Sequence, residues 1–124
     1  LYGVSLAATL ISEKRGEETE LACMAAMLHD LYAYQSGSYD DHGPKGAALA
    51  KSILDTLKLT SDKETEMICS AIYHHDDKAV IDAPFDELLK DADVMHHTMN
   101  DLSKPIKDKE KARYAKLRVE FGLK

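Results

Sequence analysis

The chain has 124 residues, a length that predicts one domain with one hydrophobic core. Hydrophobic residues make up 44% of it and charged residues 31%, a composition that argues against a disordered chain. The formal net charge of −6 argues against nucleic-acid polymers and anionic membranes as partners, because both bind basic surfaces. There is no apolar run of about 18 residues and no cleavable signal sequence, so the sequence predicts a cytoplasmic protein.

The first part of the chain shows helical periodicity. A first apolar stripe repeats at the spacing of one helix face, and its members are Val4, Ala7, Ala8 and Ile11. Gly16 is expected to cap this helix. A second helix is expected from Glu18 or Thr19 to about Leu31. Residues 34–43 are rich in Ser, Gly, Asp and Tyr, and they are expected to form a loop.

Two further helices are expected in the middle of the chain. Pro44 suits the first turn of the third helix. The expected buried face of that helix consists of Ala47, Ala50, Ile53, Leu54 and Leu57. Ser61 and Glu64 have the spacing of a capping box and predict the start of a fourth helix. One face of this fourth helix carries Met67, Ile68, Ala71, Ile72 and His75.

The last part of the chain predicts a fifth helix and a charged final one. Pro84 opens the fifth helix, whose expected inner face is Phe85, Leu88, Leu89, Ala92 and His96. Asp93 neighbours this face, whereas Asp91 points away from it and is expected at the surface. Residues 107–121 form the final helix, with a solvated charged face and a thin apolar contribution from Ala112, Leu117 and Phe121. No alternating pattern predicts a strand, so we expect a compact all-α bundle of five to six helices.

Histidines and aspartates stand beside the apolar stripes or next to helix ends. They are His29, Asp30, His42, His74, His75 and Asp93. Burying such groups costs several kcal/mol unless they are paired or coordinated, and helical bundles build metal sites from them in this way. Imidazole and carboxylate without thiolate suit Mn, Fe, Co, Ni, Zn or Mg rather than a structural zinc site. Cys23 and Cys69 have no close-spaced partner and are expected to be buried reduced thiols.

Four segments resemble one known family. The run AAMLHD, which ends in His29 and Asp30, is similar to the hallmark dipeptide of the HD-domain superfamily of metal-dependent phosphohydrolases. The runs HGPKGA, AIYHHD and LKDADVM follow in the order of that family's His-Gly helix start, histidine pair and closing aspartate. The residues concerned are His42, His74, His75 and Asp93.

The resemblance implies a role for each matching residue. His29 and Asp30 would be adjacent metal ligands and the catalytic pair, with Asp30 bridging two ions. His42 with one or both of His74 and His75 would complete a second metal position. Asp93 would close the first position. The implied cofactor is one or two divalent ions. The implied reaction is hydrolysis of a phosphate ester of a small metabolite, with a nucleotide as the first expectation.

Lysines near these motifs are candidates for holding the substrate. Lys45 and Lys78 are expected on loops beside the ligands, where they would bind the phosphate of a small phosphorylated substrate. A homo-oligomer is compatible with the sequence. Two alternatives stay open, an HD-fold di-iron oxygenase and a non-enzymatic, metal-binding regulatory domain.

The chain departs from the family pattern at its start. Residues 1–15 lack the histidine ligand that the family usually carries on its first helix, and the Gly-Tyr-Pro motif of the cyclic-dinucleotide branch is absent. We therefore expect a single HD-type domain over residues 1–124 that lacks the start of its first helix. We also expect a histidine within about one helical turn, or about 3.6 residues, upstream of Leu1.

Overall fold

The computed structural model describes residues 2–123, and it contains seven α-helices, one 3₁₀ turn and no strand in that range. The helices are α1 (Tyr2–Arg15), α2 (Thr19–Leu28), α3 (Leu31–Ser36), α4 (His42–Leu57), α5 (Asp62–His74), α6 (Pro84–Met99) and α7 (Lys111–Glu120), and the 3₁₀ turn is Asp108–Glu110. The predicted all-α class is confirmed. Between residues 2 and 123, no helix has the length and apolar character needed to cross a membrane.

Helix α6 is the central element of the bundle. It packs against α1, α2, α5 and α7, while α1 pairs with α2 and α4 pairs with α5. Its apolar residues from Phe85 to Met95 are buried on more than one side of the helix. The predicted stripe of α1 is buried as well, and the apolar core runs through the middle of the bundle. Between Phe85 and Met95, polar residues of α6 are therefore buried along with the apolar ones.

The structure corrects the predicted path between the second and third helices. Helix α2 ends at Leu28 rather than Leu31, because Asp30, with φ −109° and ψ 8°, leaves the helical conformation. Part of the predicted loop at residues 34–43 is helical, since α3 ends at Ser36 and α4 begins at His42. Helix α3 packs against α4, and this tertiary contact outweighs the weak helix preference of its residues. It is the helix that raises the count from the expected five or six to seven.

Helix boundaries with strong local signals agree with the sequence. Ser61 and Glu64 form the predicted capping box, because the Ser61 hydroxyl accepts from the Glu64 amide at 3.1 Å and the Glu64 carboxylate accepts from the Ser61 amide at 2.8 Å. Pro84 stands at the first position of α6. The predicted buried face of α4 is correct for Leu54 but not for Leu57, which is exposed at the end of the helix.

The C-terminal segment also differs from the prediction. The predicted final helix starts later, at Lys111, and the preceding residues form the 3₁₀ turn. Leu117 is buried as expected, but Ala112 is exposed, while the charged residues Glu110 and Arg113 are buried. The charged face is not simply solvated, because Arg113 donates to Glu87 at 2.8 Å and to Asp91 at 3.0 Å.

Asp91 is buried, which differs from its predicted surface position. The periodicity of α6 predicts a surface position for it, but its side chain is buried between two arginines. Arg15 of α1 donates to it at 2.8 Å, and Arg113 of α7 donates at 3.0 Å. Helix α7 covers the side of α6 that local periodicity assigns to solvent, so Asp91 joins three helices.

Candidate metal centre

The ends of four helices and the middle of a fifth bring histidines and aspartates together. His29 caps the C-terminus of α2, and Asp30 follows it at the start of α3. His42 is the first residue of α4, and His75 caps the C-terminus of α5. Asp93 lies within α6, at the centre of the bundle. Helix ends can place polar side chains at the border of a core without interrupting the apolar stripes.

The three clustered histidines are oriented in the same way. The Nδ1 atoms of His29, His42 and His75 each donate to a backbone carbonyl three residues earlier. The acceptors are the oxygens of Ala26, Tyr39 and Ile72, at 2.5, 2.8 and 2.6 Å. Because a carbonyl oxygen only accepts, each ring in its neutral form carries its proton on Nδ1 and presents the lone pair of Nε2. This arrangement fixes the tautomer that a metal ligand needs.

Asp30 lies between two groups of imidazole nitrogens. Its Oδ2 atom is 3.2 Å from Nε2 of His29. Its Oδ1 atom is 3.5 Å from Nε2 of His75 and 3.8 Å from Nε2 of His42. On the other side of His29, the Oδ1 atom of Asp93 lies 3.6 Å from the same Nε2. The structure thus brings together five of the six residues that the sequence singled out as ligands.

Two features show that these residues fit a cation. His29 Nε2 is buried and has no hydrogen-bond partner among residues 2–123, although two carboxylates stand beside it. The Nε2 atoms of His42 and His75 lie 3.1 Å apart with both Nδ1 atoms already donating, so in the neutral rings two lone pairs face each other. A positive ion would give His29 Nε2 a partner and would be bound by the facing Nε2 atoms of His42 and His75. The atoms that His29, Asp30 and His75 can offer all lie within 4.8 Å of one another.

The electrostatics of the cluster favour the charged carboxylates. Burial raises the pKa of Asp30, but His29 and His75 outweigh this effect and hold the pKa well below its usual range. Burial likewise raises the pKa of Asp93, which His29 and Lys78 lower well below normal. Burial lowers the pKa of His29, but Asp30 and Asp93 more than offset this and raise it to about 9. A proton on His29 therefore competes with a metal ion for the same nitrogen.

The two lysines predicted to bind substrate lie in different surroundings. Lys78 is almost fully buried, and its Nζ donates to Asp93 Oδ2 at 2.9 Å and to the His75 carbonyl at 2.6 Å. Lys45 lies in the first turn of α4 rather than on a loop, because α4 begins at His42, and its ammonium is exposed 5.8 Å above the Tyr32 ring. A role for either lysine in binding substrate stays a prediction.

His74 does not lie with the other five residues. Its ring points to the opposite side of the α5 terminus, where Nδ1 is 3.8 Å from Asp82 and the side chain is 38% exposed. Of the predicted histidine pair, only His75 faces Asp30. The expected histidine upstream of Leu1 lies outside the described residues, as does Leu1 itself.

A polar cavity of about 350 Å³ opens beside the cluster. It is lined by Asp30, Tyr39, His42, His75, Asp76, Lys78, Asp93, His97, Lys107, Lys109 and Glu110. The sequence did not predict a place in the site for His97, Lys107, Lys109 or Glu110. His97 stands one helical turn after Asp93, and this i, i+4 spacing could have revealed it. Nothing in the local sequence marks Glu110, which is brought in by the 3₁₀ turn.

Comparison with known protein families identifies the family of this chain. The sequence model of the HD domain matches residues 1–98. The chain belongs to the HD domain family. The matched part extends from α1 almost to the end of α6 and includes His29, Asp30, His42, His75 and Asp93. HD domains bind divalent metal ions, and at the level of the superfamily they are associated with metal-dependent phosphohydrolase activity.

The comparisons with curated proteins and with solved structures found no match. The 3₁₀ turn and α7 lie beyond the family match, yet Lys107, Lys109 and Glu110 line the cavity of the HD cluster. The C-terminal segment is therefore the part of this site that the family model does not describe.

Proposed function

We propose that the protein is a divalent-metal-dependent phosphohydrolase that cleaves a phosphate ester of a small metabolite, with nucleotides as the first class to test. The position of Asp30 carries the proposal. One of its oxygens faces His29 and the other faces His42 and His75, so this carboxylate would serve both ions of a two-ion centre. A pair of divalent ions lowers the pKa of a coordinated water, polarises the phosphoryl oxygens and steadies the leaving oxygen.

The chain would hold the two ions with separate sets of ligands. His29, Asp30 and Asp93 would form the first set, and His42, His75 and the other oxygen of Asp30 would form the second. Lys78 pairs with the Oδ2 atom of Asp93. This ion pair fixes the direction of the other oxygen, Oδ1, which faces His29. The carbonyls that accept from each Nδ1 keep the imidazoles aimed inward, so the protein needs little reorganisation when the site fills.

The cavity supports a small substrate. Its volume of about 350 Å³ is near the lower end for small-molecule sites, which span about 300 to 1,000 Å³. Lys107 and Lys109 line it and offer ammonium groups for a phosphate. Tyr39 stands edge-on to His42, with the ring centres 5.3 Å apart, and adds an aromatic surface to the cavity lining. An aromatic wall next to cations fits a nucleotide better than a simple sugar phosphate.

The experiment is a phosphate-release assay on protein stripped of metal and reloaded with one ion at a time. Mn²⁺, Fe²⁺, Co²⁺, Ni²⁺, Zn²⁺ and Mg²⁺ are each tested with nucleotides and sugar phosphates, with and without oxygen. We expect turnover of a nucleotide that requires metal, does not require oxygen, and is lost in Asp30→Asn. Asp55→Asn, on the exposed face of α4, is the matched control and should retain full activity.

Two results would contradict the proposal. Oxygen-dependent turnover with bound iron would favour the di-iron oxygenase. Metal binding with no turnover on any phosphate ester would favour the non-enzymatic regulatory domain.

A further inference from the structure

The geometry points to His97 as a further metal ligand, oriented by the buried carboxylate of Glu110. This inference rests on the metal centre of the proposed function and adds a residue to its first ligand set. Neither residue belongs to the four motifs that indicated the family. Glu110 also lies outside the family match, which ends at residue 98.

The first observation is the orientation of the His97 ring. Its Nδ1 donates to the Oε2 of Glu110 at 3.1 Å, and a carboxylate oxygen only accepts. The ring therefore carries a proton on Nδ1, as the rings of His29, His42 and His75 do. The other nitrogen, Nε2, lies 3.4 Å from Oδ1 of Asp93. Every histidine that faces the cluster among residues 2–123 thus has its Nδ1 held and its Nε2 turned inward.

The second observation is the burial of Glu110. Its side chain is only 3% exposed, and His97 is the sole side chain that donates to it among the described residues. A buried carboxylate with one histidine partner is the arrangement found behind metal-bound histidines, where it fixes the ring and raises its basicity. The 3₁₀ turn positions Glu110 for this contact, since its amide also donates to the Lys107 carbonyl at 2.9 Å.

The third observation is the spacing of the inward atoms. With metal–ligand bonds of about 2.0 to 2.2 Å, neighbouring ligands of one ion lie about 3 to 3.5 Å apart. His97 Nε2, Asp93 Oδ1, His29 Nε2 and Asp30 Oδ2 follow one another at 3.4, 3.6 and 3.2 Å. His97 thus extends the His29–Asp30–His75 group through Asp93.

The neighbouring histidine provides the matched control. His96 precedes His97 on α6, but its ring packs against Gly3 of α1, where an added Cβ would lie 2.1 Å from the ring. It does not line the cavity of the cluster, whereas His97 does. Replacing each in turn by glutamine compares two adjacent histidines of one helix, of which only one faces Asp93.

The test is a Co²⁺ titration of the metal-free protein, monitored both by calorimetry and by visible absorption. His97→Gln should weaken the binding of one ion at least tenfold and change its absorption spectrum. Glu110→Gln, which keeps a hydrogen-bond acceptor but removes the charge, should lower the affinity for the same ion by about tenfold. His96→Gln should bind like the wild type. Equal affinities in His97→Gln and the wild type would overturn the inference while leaving the metal centre intact.

A second measurement does not depend on how the variants fold. ¹¹³Cd²⁺ is added to wild-type protein labelled with ¹⁵N in its histidines, and the Nε2 resonance of His97 should show scalar coupling to the ion, as that of His29 does. A His97 Nε2 without this coupling while His29 Nε2 shows it would overturn the inference, since a histidine that only joins Asp93 to Glu110 has no bond to the ion. Wild-type protein that takes up no ion at all would overturn both this inference and the proposed function.

Discussion

The clustered histidines of the HD site take their direction from the backbone on which they stand. His29 and His75 each occupy the C-cap of a helix and donate to a carbonyl of its last turn. In the last turn the regular helical bonding ends, so these carbonyls are open to the ring, which the bond orients; the Ile72 carbonyl also accepts from the His75 amide at 3.4 Å. The chain needs no further side chain to aim these imidazoles.

The protonation of His29 gives a prediction for pH. In the metal-free protein its pKa is raised to about 9, against about 6.5 in the unfolded chain, so its contribution to stability is complete below pH 6.5 and is lost as pH rises through 9. We expect the melting temperature of the metal-free protein to fall between about pH 6.5 and 9.5. His29→Gln should show a shallower fall in the same scan. Parallel curves for the two proteins would contradict the assignment.

The two ion pairs of Asp91 predict a clear loss of stability. Asp91→Ala leaves Arg15 and Arg113 without their shared carboxylate, and we expect a loss of about 2 to 3 kcal/mol in the free energy of unfolding. Asp55→Ala, which removes the exposed pair with Lys51, should change it by less than about 0.5 kcal/mol. Urea unfolding measures both. Co²⁺ affinity should stay unchanged in Asp91→Ala, because Asp91 faces away from the cluster.

Among the helices, the contact of α4 with α5 places His42 against His75. Gly43 makes this contact possible, because a Cβ there would lie 2.6 Å from the Tyr73 carbonyl oxygen of α5. At Gly46, one turn later, an added Cβ would make only ordinary contacts, the nearest at 3.4 Å. The first turn of α4 is therefore fixed by backbone packing rather than by its side chains.

These two glycines form a matched pair of variants. Gly43→Ala should push the start of α4 away from α5, with a cost of about 1 to 3 kcal/mol and weaker Co²⁺ binding through displacement of His42. Gly46→Ala should be neutral or stabilising by up to about 1 kcal/mol, because alanine favours the helix. Urea unfolding and Co²⁺ titration of both variants provide the comparison. Equal behaviour of the two would show that close packing at Gly43 does not position His42.

Helix α7 fastens the segment between α5 and α6. Arg113 donates to the carbonyls of Lys78 and Val80, both at 3.0 Å, and to the carboxylates of Glu87 and Asp91. We expect Arg113→Ala to destabilise the protein by about 3 kcal/mol and to speed amide exchange in residues 76–82. Arg118→Ala, which loses only a bond to Tyr114, should do neither. Unchanged exchange in Arg113→Ala would mean that α7 does not hold this segment.

For the whole molecule, the metal centre should contribute to stability. The cluster joins residues from α2, α3, α4, α5 and α6, so an ion bound there links most of the bundle. At a hundredfold excess over its dissociation constant, an ion bound only by the folded state adds about 2.7 kcal/mol. Chelation should then lower the melting temperature by roughly 10 °C, and Mn²⁺ or Co²⁺ should restore it. A melting temperature that neither treatment changes would contradict the metal centre.

Local sequence determined the all-α class and most helix boundaries. Apolar spacing reports which side of a helix is buried, and the N-cap Ser61 and the first-turn Pro84 mark the starts of two helices. The His-Asp dipeptide and the three motifs that follow it also indicate the HD family by their order along the chain alone. These signals lie within single helices or at their ends, so the sequence displays them directly.

Only the tertiary structure decided which polar groups meet. The periodicity of α5 already favoured His75 over His74 for the buried face, but only helix packing sets His75 against Asp30 and His97 against Asp93. Packing also brings Glu110 behind His97 from a segment beyond the family match. Each of these contacts depends on how one helix is turned against another, which the periodicity of a single helix does not encode. Asp91 shows the same limit, because α7 covers the side of α6 that its own pattern assigns to water.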